Sequence, residues 1–87
     1  MGNPVVHFEI GVAAAVLASR FYGDLFGWEI RVDEHGYGAI DTGGPGGIDG
    51  GIMQTPEGVS PYVTVYVQVD DLPAFLERAE RLALSAV

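Results

Sequence analysis

The chain has 87 residues, room for one small domain, and a domain this short buries only about 60–65% of the surface its unfolded chain exposes. Hydrophobic residues make up 48%, enough for a core, and twelve acidic side chains against four arginines and no lysine give a net charge of −8. That charge repels phosphate backbones and anionic membranes, while the missing cysteine and lysine exclude disulfides, thiolate nucleophiles, Schiff bases and Walker-type phosphate clamps. With no run near the 20-odd apolar residues of a membrane span and no basic leader, the expected setting is cytoplasmic, with no nucleic-acid or membrane partner.

In chain order, Val5–Ile10 alternates, with Val6, Phe8 and Ile10 on one face and Val5, His7 and Glu9 on the other, which predicts a strand. From Val12 to Phe26 the period becomes helical: Leu17, Phe21 and Leu25 form an apolar row with Ala14 and Ala18 beside it, ended by Gly27. Trp28–Asp33 alternates again, and Glu34-His35-Gly36 reads as a tight turn into a strand at Tyr37–Asp41. Residues 42–51 hold six glycines and Pro45, and a short strand, Ile48–Gln54, is expected to leave that loop. Thr55-Pro56-Glu57-Gly58 is a turn signal.

The pattern then restarts. Tyr62–Val69 places Val63, Val65, Val67 and Val69 on one face and Thr64, Tyr66 and Gln68 on the other. Asp70 or Asp71 is positioned to cap a second helix with Pro73 in its first turn, an expected buried stripe of Leu72, Phe75 or Leu76, Ala79 and Leu82, and a wet face of Glu77, Arg78, Glu80 and Arg81. The expectation is an α+β fold: one domain over 1–87, a βαβββ module at 1–55 and a partial second module (strand plus helix) at 61–87, the helices lying outside a cupped mixed sheet. Laying Val12 on Val69 puts His7 on Thr64, so the polar faces of both strands should line one hollow.

The string Val6-His7-Phe8-Glu9-Ile10, followed by Phe21-Tyr22-Gly23-Asp24-Leu25-Phe26-Gly27-Trp28 and later by Val65-Tyr66-Val67-Gln68-Val69-Asp70-Asp71-Leu72, resembles the vicinal oxygen chelate superfamily. That group takes in glyoxalase I, bleomycin-resistance proteins, fosfomycin-resistance enzymes and extradiol dioxygenases. The resemblance implies paired βαβββ modules, commonly dimeric, and in the enzymes a divalent metal (Zn, Ni, Mn or Fe) in the cup. His7 matches the first metal ligand, but Thr64 stands where the second is usually a histidine, and residues 51–54 carry no carboxylate. The expected metal is therefore none in a single chain.

His7 is either a metal ligand or a hydrogen-bonded pocket residue, and Glu9 on the same face is a candidate catalytic base, a supporting acceptor or a rim charge. His7, Glu9, Thr64, Tyr66 and Gln68 are the candidate ligand contacts. The first reading is a small-molecule-binding protein of glyoxalase/bleomycin-resistance type. The alternatives are a metal-dependent lyase or dioxygenase completed across a dimer, and a degenerate interaction module. A complete second module needs three more strands, and Ala83–Val87 offers one stub, so either a homodimer covers the open edge, the favoured expectation, or the chain is a fragment of low stability. Trp28 is expected to anchor the helix-to-strand corner and His35 to lie exposed at a hairpin tip. The glycine-rich loop lacks the lysine and helix of a phosphate loop.

Overall fold

In a computed structural model, residues 2–86 are described, with the side chains of 84–86 left aside. The elements are β1 (Val5–Val12), α1 (Ala15–Phe26), β2 (Glu29–Val32), β3 (Tyr37–Asp41), β4 (Gly50–Gln54), β5 (Tyr62–Val67) and α2 (Leu72–Ala86). They build one five-stranded mixed sheet in the order β2-β3-β4-β1-β5. The fold is α+β, a βαβββ module followed by a strand and a helix, as the periodicities predicted. The helical crossover makes β1 and β4 parallel, and β5 joins the other edge of β1 antiparallel.

The β1–β5 register gives the internal repeat a geometric meaning. The shift that lays His7 on Thr64 also lays Phe8 on Val65 and Glu9 on Tyr66. In the ladder His7 pairs with Tyr66, Glu9 with Thr64, and Phe8 with Val65, its own counterpart. The repeat is thus related by the local twofold of an antiparallel pair, passing between Phe8 and Val65. Such an axis, perpendicular to the sheet, keeps His7 and Thr64 on one face.

The core lies on the opposite face. Ile10, Ile40 and Ile52 are buried on the three central strands, with Phe8, Val12, Ala18, Tyr22, Trp28, Ile30 and Val32 packed around them. Trp28 does anchor the corner, its ring centroid 5.8 Å from Phe8, 5.6 Å from Tyr22 and 5.1 Å from Phe26.

Several boundaries and one helix face differ from expectation. β1 runs on to Val12 and the helix starts at Ala15, because Gly11 and Val12 pair with Met53 and Gln54. No side chain caps α1 at Ala14, but Gln54 Oε1 accepts from the Ala15 N–H at 3.4 Å. The face of α1 turned to the sheet is Ala15, Ala18, Ser19 and Tyr22, whereas Leu17, Phe21 and Leu25 are about 60% exposed. Small side chains let the helix approach closely, and the buried Ser19 hydroxyl is satisfied by donating to Ala15 O at 2.7 Å.

β4 begins at Gly50, because Ile48 and Asp49 instead tie down the glycine-rich loop: Thr42 donates its N–H to Asp49 Oδ1 and its hydroxyl to Ile48 O. β5 ends at Val67, with one more bond from Gln68 N–H to Pro4 O. Asp71 is the residue that caps α2, accepting from the Ala74 N–H at 3.1 Å. α2 continues to Ala86 through the stretch expected to begin another strand, and Val87 lies outside the described residues. The valine row of β5 is uncovered, Val63, Val65 and Val67 being half exposed or more, and Leu72, Leu76 and Leu82 of α2 are equally open.

Candidate functional site

The face opposite α1 is built by strand parity. Residues paired directly across strands point the same way, so the register places Tyr62, Thr64 and Tyr66 of β5 beside His7, Glu9 and Gly11 of β1. Continuing across the sheet, Gly51 and Met53 of β4 meet Tyr37 and Ala39 of β3, and then Arg31 and Glu29 of β2. This face is the more polar of the two, the α1 face being aliphatic and aromatic.

Glu9 is its centre. Its carboxylate accepts from the Tyr62 hydroxyl at 2.5 Å and from the Tyr66 hydroxyl at 3.0 Å, one on each oxygen. A glycine makes the first contact possible: Tyr62 lies directly across from Gly11, and any Cβ on Gly11 would land inside the Tyr62 ring. A second glycine does similar work. Gly51, the β4 partner of Glu9, has the Tyr37 hydroxyl 2.6 Å from where its Cβ would stand. Two phenols therefore bond to one carboxylate, a third lies over the neighbouring Gly51, and the His7 ring meets Tyr66 edge-on at 5.1 Å. Hydrogen bonds to Glu9 are the main reason that the Tyr62 and Tyr66 phenols are held above their ordinary value of 10.0; the negative charge of Glu9 and partial loss of water add to it. Both stay neutral donors at physiological pH.

Next to His7 an open hollow of about 440 Å³ is lined by His7, Glu29, Arg31, Ala39, Asp41 and Asp49, among others. Asp41 and Asp49 also order the adjoining loop, accepting from the N–H groups of Gly43 and Thr42. Arg31 lies 3.6 Å from Glu29, with both side chains largely in water.

Of the residues singled out from sequence, His7, Glu9, Thr64 and Tyr66 come together on this face. Gln68 does not join them: it follows the end of β5 and lines a separate groove with Asn3, Pro4, Val69 and Asp70. His35 is exposed at the β2–β3 turn, 3.6 Å from Glu34. Sequence reasoning missed Tyr62 and Tyr37 as members of the site. Tyr62 shares the parity of Thr64 and Tyr66, which was a usable signal; Tyr37 is brought in only by the order β3-β4-β1.

Among the described residues no three His, Cys, Asp or Glu side chains stand close enough to share an ion. Thr64 is a poor donor opposite Glu9, and both Glu9 oxygens already accept from phenols. Among the described residues no helix is long and apolar enough to cross a membrane. No known family model matches the chain, and no curated protein is similar enough to count as a relative.

Proposed function

We propose that this chain is a small-molecule-binding protein of the glyoxalase/bleomycin-resistance kind, holding an organic ligand on the polar face around His7, Glu9, Thr64 and Tyr66 without a metal. The observation that carries the reading is the Glu9 carboxylate fixed by two tyrosine hydroxyls beside an open hollow. Such side chains can orient a ligand by hydrogen bonds and ring contacts, and the hollow supplies the concavity that ligand sites generally have. The equivalence of residues 7 and 64 about a local twofold supports the family resemblance in the same way.

A backbone-amide NMR screen of small organic compounds tests it. Binders should move the amides of residues 7–11 and 62–66; binders that cluster only in the groove between α1 and β2, lined by Val16, Arg20, Asp24 and Val32, or none at all, would sink the reading. A metal that co-purifies stoichiometrically and is lost in His7→Ala would overturn its metal-free part. In the same reading the protein works in the cytoplasm as a homodimer, a second copy covering the open valine row of β5 and the leucines of α2. Light scattering at micromolar concentration that shows only monomer removes that element.

A further inference from the structure

We infer that the ligand of this face is a small organic cation, an alkylated ammonium group that sits against Glu9 and the neighbouring rings of Tyr62, Tyr66 and His7. The inference rests on the small-molecule reading above and names its ligand class.

The argument begins with an unbalanced charge. Glu9 is only partly exposed, and among the described residues no arginine or histidine nitrogen lies at ion-pair distance from its carboxylate; the ion pairs are Arg31 with Glu29, His35 with Glu34, and Arg81 with Glu77. Among the described residues its hydrogen-bond partners are two neutral phenols, which satisfy the oxygens as acceptors and leave the negative charge in place. A neutral ligand would leave that charge as it is. A cation would pair with it.

The surroundings select the kind of cation. Aromatic faces attract a positive charge through the ring quadrupole, and cages of aromatic rings suit ammonium groups whose charge is spread over methyl or methylene groups. A phenol that donates its hydroxyl hydrogen to a carboxylate becomes more electron-rich, which strengthens that attraction. Bare inorganic cations fit less well, because they require several oxygen ligands at fixed distances and among the described residues no three His, Cys, Asp or Glu side chains cluster to supply them. The acidic lining of the adjoining hollow, with Glu29, Asp41 and Asp49, and the net charge of −8 act in the same direction by raising the local concentration of cations.

The test uses tetramethylammonium chloride and its neutral near-isostere tert-butanol, each titrated into the protein while backbone-amide spectra are recorded. Tetramethylammonium should bind with a dissociation constant in the millimolar range and move the amides of residues 7–11 and 62–66, at least about tenfold more tightly than tert-butanol. Glu9→Gln keeps an acceptor for one phenol and should weaken tetramethylammonium about tenfold while leaving tert-butanol unchanged. Tyr66→Phe keeps the ring and should lose little, whereas Tyr66→Leu should lose about fivefold. Well-dispersed spectra establish that each variant is folded. Equal binding of both probes at these amides, or full tetramethylammonium affinity in Glu9→Gln, overturns the cation inference and leaves the small-molecule face standing. If neither probe touches these amides while other compounds bind there, the cation inference alone fails; if nothing binds there, both readings fail.

Discussion

At the scale of single residues, the polar face depends on what is missing from Gly11 as much as on what Tyr62 provides. Gly11→Ala should push the Tyr62 ring aside and break its bond to Glu9, costing about 1 kcal/mol of stability measured by urea unfolding, with the sheet retained. The two phenols make a second prediction. Their folded values are raised, so the folded state holds those protons more tightly than the unfolded chain does. The stabilisation is complete below an ordinary value of 10.0 and fades as the pH rises through the folded values. Alkaline titration followed by tyrosinate absorbance should therefore show a late-ionising fraction, and Glu9→Gln should bring it earlier; an unchanged curve would argue against the Glu9 bonds. Asp33 runs the other way. Its Oδ1 accepts from the N–H groups of Tyr37 and His35, and these bonds hold its carboxyl below the ordinary 3.8. Its contribution is present above that value and is lost as the pH falls through the lower folded one, so Asp33→Ala should flatten part of the acid limb of the stability profile.

At the scale of elements, the strands were legible and the seating of the helix was not. Alternation with period two assigns each strand residue to a face, and it put Phe8 and Ile10 on the core side and His7 and Glu9 on the other. That His7 and Thr64 share a face followed from the same parity, whereas the direct pairing of β1 with β5 did not. In α1 two rows run at helical spacing, Leu17-Phe21-Leu25 and Ala15-Ala18-Ser19-Tyr22, and hydropathy favours the first. What decides is clearance above the sheet, where Trp28 and Phe8 already fill the space, and clearance is not written in one segment. The same limit hid Tyr37, whose membership in the site needs the β3–β4–β1 order. The join of β1 to β4 is itself tightly packed. A Cβ on Gly50 would stand 2.6 Å from both the ring and the backbone oxygen of Phe8, and backbone cannot rotate away. Gly50→Ala should cost about 2 kcal/mol, more than Gly11→Ala, by the same urea measurement.

At the scale of the whole molecule, the radius of gyration is 15.8 Å, whereas a compact chain of this length has about 12 Å. The stability is concentrated in the sheet centre under α1. Ile52→Ala should cost about 3 kcal/mol, a large share of what a domain of this size possesses, while Val65→Thr on the open row should change stability by less than about 0.5 kcal/mol. A large loss at Val65 would mean that its row is covered in solution. The twofold between Phe8 and Val65 has one more result. Its two halves supply equivalent places, yet one half holds imidazole and carboxylate at 7 and 9, and the other holds hydroxyls at 64 and 66. A frame that is symmetric in backbone is thus directional in chemistry, with an anionic side and an uncharged side that would orient a molecule charged at one end.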